Sequence, residues 1–495
     1  MVKGREATEG RSCRRIADIL CIMAGERFHI YESDSDVQHE KGVGVLQTVH
    51  LEQIIHASKF NRFHFWLVAL CFLIILFDGY DLVVYGTVVP VLIKEWQLSP
   101  VEAGAIGSYG LFGMVFGAVL LGMMADRYGR KPAIILSLFL FSFFTMLCGF
   151  ADNPTIFSVY RFLAGLGLGG IMPNITALLT DYAPARLKSL LVTVVLCGYS
   201  VGGMLAPVFG MTLMPVFGWE AVFWVAGIGL LFIPLVYQYV PETAARLVQT
   251  GNKKEIIRVM AKVNPEVTLS ERDEFMIDHQ AGAKVPVVEL FRQKRAFSTI
   301  LFWTTYFMSL LMVYGLNTWL PNLMIKAGYG LNSSLAFLMI LQGGSIVGAI
   351  TIARLSSTYD LKKMLSFMYA IGAVAMTLLG MGGNVLYIYV LVAIAGASSV
   401  GAQHLIQAYV SQYYPPSIRS TALGTASGMG RFGGMFGPMI GGWLLSMALP
   451  TQVNFLAFAI PGVIAAAALA MVPARLAYSG GGEDAHSEHQ LKANA

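Results

Sequence analysis

The stretch His64-Phe-Trp-Leu-Val-Ala-Leu-Cys-Phe-Leu-Ile-Ile-Leu-Phe-Asp78-Gly-Tyr-Asp81-Leu-Val-Val-Tyr-Gly-Thr-Val-Val-Pro90 decides the fold. It is long enough to cross a bilayer, which takes about 20 predominantly apolar residues. Two acids nevertheless sit inside it, three residues apart, a spacing that places both on one helical face. A charge at the bilayer centre costs at least about 2.5–3.5 kcal/mol. Two in one span need a reason, and the usual one is a pathway for protons, ions or a polar solute. Asp78 and Asp81 make the chain a transporter candidate.

Composition agrees. Of 495 residues, 56% are hydrophobic and 13% charged, against about 25% charged in soluble domains. Fifty-two glycines suit membrane helices, whose backbones approach through small residues. The net charge of +5 does not call for a nucleic-acid partner, because the basic residues gather in one set of loops. Cys71, Cys148 and Cys197 lie in apolar spans and Cys13 and Cys21 in the N-terminal tail, with no metal-ligand spacing. Free thiols are expected, and neither a metal nor a cofactor.

Apolar windows of about 19 residues predict an all-α integral membrane protein with twelve spans, at 64–90, 102–124, 132–151, 154–177, 190–214, 219–240, 297–320, 333–355, 362–381, 384–410, 420–446 and 452–473. The expected organisation is a polar tail at 1–50, disordered or translated from a misassigned start, and a six-helix bundle at 51–240. A central loop at 241–296, a second bundle at 297–475 and a polar tail at 476–495 follow. Basic residues cluster after span two (Arg127, Arg130, Lys131), after span four (Arg186, Lys188), after span eight (Arg354, Lys362, Lys363) and before span eleven (Arg419). Ten more lie in the central loop. By the positive-inside rule both termini are cytoplasmic, in a multi-pass protein of the inner (plasma) membrane surrounded by lipid.

The halves look duplicated. Tyr182-Ala-Pro184 with Lys188-Ser189 returns as Tyr413-Tyr-Pro415 with Arg419-Ser420. Gly202-Gly203-Met204 with Pro207 returns as Gly433-Gly434-Met435 with Pro438, every pair offset by 231 residues. Two pseudo-symmetric six-helix bundles with substrate held between them near the midplane is a known transporter plan.

The loop after span two reads Gly122-Met-Met-Ala-Asp126-Arg127-Tyr-Gly129-Arg130-Lys131. It resembles the major facilitator superfamily signature G-x-x-x-D-R-x-G-R-[RK] at every defined position. The resemblance implies that Gly122, Asp126, Arg127, Gly129 and Arg130 take part in gating, with Asp126 in a charge network that latches the outward-open state. Arg161-Phe-Leu-Ala-Gly165-Leu-Gly167 in span four resembles a motif of proton-coupled members. Counted at 1.5 Å per residue, Arg161 and Asp78 fall at matching depths, so an Arg161–Asp78 pair is expected, either coupling or structural.

Asp78-Gly-Tyr-Asp81 resembles the first-helix D-G-[FY]-D signature of the aromatic acid:proton symporters. Phe77 to Gly86, Leu98-Ser-Pro and Gly107-Ser-Tyr-Gly110 look most like the benzoate-transporter branch. The resemblance covers about 50–475. It implies proton-coupled import of a small aromatic carboxylate (benzoate first, then hydroxybenzoate, protocatechuate or muconate), with Asp78 or Asp81 loading the proton. Asp181 falls where the family has an acidic gating residue, and Arg419 at a functional arginine.

Arg431, twelve residues past Arg419 and so roughly 18 Å into span eleven, presents a planar fork suited to a carboxylate. Glycines 428, 430, 433 and 434 would leave room beside it. Tyr80, Tyr85 and Trp319 could stack on a ring, and Asn317 and Gln342 are polar enough to line a site. Span five partly matches a drug–proton antiporter motif, but Ala206 stands where the defining G-P pair needs glycine. Proton-antiport efflux of aromatics or drugs is the alternative. No P-loop, G-x-S-x-G or H-E-x-x-H occurs, so a secondary transporter rather than an enzyme is expected; a monomer is also expected, independently of these motifs.

Overall fold

The computed structural model describes residues 48–277, 286–292, 295–355 and 358–478. Cys13 and Cys21 fall outside them, as do the expected tails except at 48–50 and 476–478. Twelve long helices run through the described residues: α1 (Arg62–Glu95), α2 (Pro100–Tyr128), α3 (Arg130–Cys148), α4 (Pro154–Tyr182), α5 (Lys188–Phe217) and α6 (Glu220–Tyr239), then α7 (Ala296–Lys326), α8 (Leu331–Leu355), α9 (Leu361–Leu379), α10 (Val385–Tyr413), α11 (Pro416–Ser446) and α12 (Thr451–Met471). Eleven are long and apolar enough to cross a membrane. The twelfth, α11, has 31 residues, about 46 Å at 1.5 Å each, and eight glycines plus Arg431 dilute its apolar character.

Local signals set the helix ends. Asn153 caps α4, accepting from the Ile156 amide at 2.9 Å with Pro154 in the first turn, where its missing N–H costs nothing. Asp360 caps α9 and Asn384 caps α10 in the same way. Two helices are irregular: α6 contains a 3-10 stretch at Val225–Phe232, and α10 a π-helical turn at Ala397–Gly401.

The central loop is not structureless. Helices Ala244–Thr250 and Lys253–Val263 follow α6, the second burying Ile256, Val259, Met260 and Val263 along one face. Glu274–Met276 pairs as a parallel strand with Thr48–His50, so the end of the expected N-terminal tail is tied to this loop.

The duplication reappears as paired contacts. A Cβ on Gly202 would lie 1.7 Å from the Leu76 carbonyl oxygen, and one on Gly433 would lie 2.0 Å from that of Phe307. Both members are offset alike (433 − 202 = 307 − 76 = 231). Gly117 against Leu166 on α4 likewise returns as Gly348 against Ala397 on α10. The Tyr182 hydroxyl donates to the Glu242 carbonyl, and the Tyr413 hydroxyl to that of Pro473. One backbone plan, including its closest helix approaches, has been used twice.

By contacts the chain divides into two compact units. The first comprises Met1–Leu82, Phe116–Ala206 and Leu213–Gln280; the second comprises Val83–Val115, Pro207–Thr212 and Ala281–Ala495. Within the second, the C-terminal part of α1 and the N-terminal part of α2 are packed on α7 and α11. Gly86 is pressed on the Asn317 backbone, Gly104 on Pro438, and Gly442 on Pro100.

Candidate functional site: a buried ion pair and a set of buried amides

In the first unit the acidic pair of α1 flanks a close helix approach. Gly79 lies against the α5 backbone, and a Cβ there would be 1.9 Å from the Tyr199 carbonyl oxygen. This close approach buries Asp78 and Asp81 to 2% and 1% exposure. Arg161 of α4 reaches Asp81, its Nη1 donating to Oδ1 at 3.0 Å and Oδ2 at 3.1 Å, and the Thr145 hydroxyl of α3 donates to Oδ1 as well. Thr145 and Arg161 are themselves buried.

Arg161 is thus bonded to Asp81, which lies beside the Asp78 that the depth count pairs with it. The two acids differ by three residues, about 4.5 Å along the axis. That is less than an arginine side chain spans, so counting from helix ends cannot separate them. The result is a charge pair away from water that is tolerable only because each charge has the other and Thr145 adds a hydrogen bond.

The expected aromatic contacts are packed side chains with their polar tips in use. Tyr80 donates to the Val222 carbonyl and Tyr85 to that of Ala103, both at 2.5 Å, and Trp319 Nε1 donates to Pro438 at 2.8 Å. All three are buried.

In the second unit, Arg431 is half-buried on α11, with Nη1 3.5 Å from the Met114 carbonyl. The reading of its glycines changes. Gly430 lies against Leu310 and Tyr306, Gly433 against the Phe307 backbone and Gly434 against Tyr314, so these three serve the approach of α7. Of the four, Gly428 is the one at which a Cβ would meet nothing within 4 Å. Asn317 (α7) and Gln342 (α8) are 1% and 0% exposed. Neither atom of either amide has a hydrogen-bond partner among the described residues.

The loop between α2 and α3 turns at Gly129, whose φ of +105° favours glycine. Asp126 and Arg127 are exposed, and Arg127 lies 5.4 Å over the Tyr128 ring. Gly122 has open space, Asp181 is half-buried at the end of α4, and Arg419 Nε donates to the Tyr414 carbonyl at 3.4 Å. The residue missed from sequence is Glu242. Its carboxylate accepts from the backbone N–H of Arg130 at 2.8 Å, of Lys131 at 3.3 Å and of Thr243 at 2.9 Å. A negative group at the first turn of α3 complements the helix dipole. The available signal was Pro241-Glu242-Thr243, an acid directly after span six at the head of a basic stretch.

The family model described as Major Facilitator Superfamily matches residues 71–403 and 340–491. The chain is 42% identical over 437 residues to the "Benzoate transport protein" of Acinetobacter baylyi, covering 87% of this chain and 94% of that protein. It is 36% identical to the "Gentisate transporter" of Corynebacterium glutamicum, covering 80% and 85%. Among solved structures, a bacterial homolog of the human lysosomal transporter Spinster superimposes with a TM-score of 0.65 at 16% identity, covering 85% of this chain and 100% of that one. At that identity the likeness speaks for the fold alone.

Proposed function

Because the chain belongs to the Major Facilitator Superfamily, and so is a multi-pass membrane transporter, we propose that it imports an aromatic carboxylate together with protons. The observation that carries the coupling is the buried Asp81–Arg161–Thr145 cluster. A proton taken up by Asp81 cancels its charge and releases Arg161. Asp78, one turn earlier on the same face, is the second carboxyl available to load. The substrate carboxylate is received by Arg431, whose fork matches it. Charges neutralised by proton and substrate lower the cost of occluding the loaded carrier, and alternating access then delivers both to the cytoplasm.

Benzoate is the first substrate to test, in view of the 42% identity to a benzoate transport protein. One proton per monoanion makes the cycle electroneutral, so the pH gradient alone drives it, whereas two would also use the membrane potential. The asymmetry of Lys and Arg between loops supports an inner-membrane protein with cytoplasmic termini.

The test is labelled benzoate uptake into proteoliposomes under an inward proton gradient that is then collapsed. Accumulation that disappears with the gradient is expected. Flux that ignores the gradient overturns the coupling, and no uptake by folded protein overturns the substrate.

A further inference from the structure

Buried carboxamides are normally hydrogen-bonded, and each unsatisfied one calls for an explanation. Asn317 and Gln342 are two such groups, and they share a level. Asn317 lies nine residues inside the outer end of α7 (326 − 317) and Gln342 eleven inside that of α8 (342 − 331), about 14 and 16 Å deep. The π-helical turn of α10 begins twelve residues in (397 − 385), about 18 Å deep. It packs on α8 there: Ala397 faces Gly348, and Gly401 is near the Ser345 carbonyl. Such turns are frequent at functional sites.

The chemistry of the orphaned atoms narrows the ligand. Among the described residues, each amide has both a donor nitrogen and an acceptor oxygen without a partner. A carboxylate only accepts, so it would leave both amide oxygens buried and unpaired. A hydroxyl has one hydrogen and two lone pairs, so it can donate to one amide oxygen while accepting from amide nitrogens. Arg431 lies fifteen residues inside the outer end of α11 (446 − 431), about 22 Å deep. The amides are thus about 6–9 Å nearer the outer surface, a separation on the scale of a substituted benzene ring.

Resting on the aromatic-carboxylate reading above, we infer that Asn317 and Gln342 are specificity residues that receive a hydroxyl on the substrate ring. The transporter then accepts ring-hydroxylated benzoates in preference to benzoate.

The experiment measures uptake of 3-hydroxybenzoate, 4-hydroxybenzoate and benzoate by the full chain in proteoliposomes, for wild type, Asn317→Leu and Gln342→Met. Both substitutions keep the approximate shape of the side chain and remove its hydrogen-bonding atoms. In wild type at least one hydroxybenzoate should show a higher kcat/KM than benzoate. Each variant should shrink that ratio at least about tenfold, the scale of one buried hydrogen bond. Equal loss on all three substrates, or an unchanged ratio in a variant that retains uptake, overturns the inference. So does a wild-type preference for benzoate. If one variant fails to insert, the other carries the test alone. Absence of uptake of all three by wild type would instead sink the aromatic-carboxylate reading itself.

Discussion

Replacing Asp81 by Asn keeps shape and removes the charge that faces Arg161. At the observed 3.0 Å, and with an effective dielectric constant of 20, the gross attraction is about 5.5 kcal/mol. Desolvation of both groups offsets much of this while the pair is whole. With one partner gone, the other keeps its desolvation cost and loses its compensation, and the net loss is about 3–5 kcal/mol. Asp81→Asn should therefore lower the melting temperature of the purified protein by about 3–5 °C. Adding Arg161→Met removes the stranded cation, so the double variant should recover most of the loss. Asp78→Asn leaves the Arg161–Asp81 pair standing and should perturb melting less. The assay is scanning fluorimetry of these three variants, the single Arg161→Met variant and wild type in one detergent, read as a double-mutant cycle. Asp81→Asn melting within about 2 °C of wild type, or Asp81 and Arg161 effects that simply add, would refute the claim that the pair is energetically coupled.

Other substitutions test other parts of the argument. If either acid carries the proton, its Asn variant loses gradient-driven accumulation while remaining inserted; full uptake by both Asp78→Asn and Asp81→Asn would remove the proton from this face of α1. Glu242→Gln weakens charge-assisted bonds to three backbone amides and should cost about 1–3 kcal/mol, seen as a lower melting temperature. Gly433→Val places a Cβ about where the Phe307 carbonyl stands and should abolish folded protein, whereas Gly428→Ala, in open space, should express and melt like wild type. Arg431→Lys keeps the charge but loses the planar fork, so the KM for the carboxylate should rise about tenfold or more.

The spans were legible because length and apolarity are properties of the chain itself. α1, α2 and α4 extend a few residues beyond the expected limits, through Glu95, Tyr128 and Tyr182. The charged residues at those ends do not oppose a helix once it emerges from the apolar layer. What a chain cannot display is which groups meet. That Arg161 bonds Asp81 turns on one helical turn of registry with α4, below the accuracy of depth counting. Glu242 is an unremarked acid until the fold brings it to the first turn of α3, 112 residues away from Arg130. The glycines around Arg431 pointed to open space by composition alone, but three of them are filled by α7. Asn317 and Gln342 were visible as polar residues in apolar runs. That their amides have no protein partner among the described residues is information only the packed helices hold.

The repeat separates the two groups of side chains on which the proposed function rests. At the 231-residue offset the close approach is shared: Gly202 on Leu76 answers Gly433 on Phe307. The side chains to which the proposal gives a role are not shared. Asp78 is matched by Ser309, Asp81 by Met312 and Arg161 by Val392, so the second repeat has no ion pair at that place. Conversely Arg431 is matched by Ser200, Asn317 by Gly86 and Gln342 by Leu111, so the first repeat has neither the fork nor the amides. On the proposed function this division has a physical use. A proton can change the charge state of one repeat without touching the groups that hold the substrate on the other. Coupling must then pass through the shared requirement that both repeats be neutralised before the loaded carrier is occluded, rather than through a direct contact of proton with ligand. An Arg431 variant should accordingly weaken substrate binding while leaving the Asp81–Arg161 stability coupling intact.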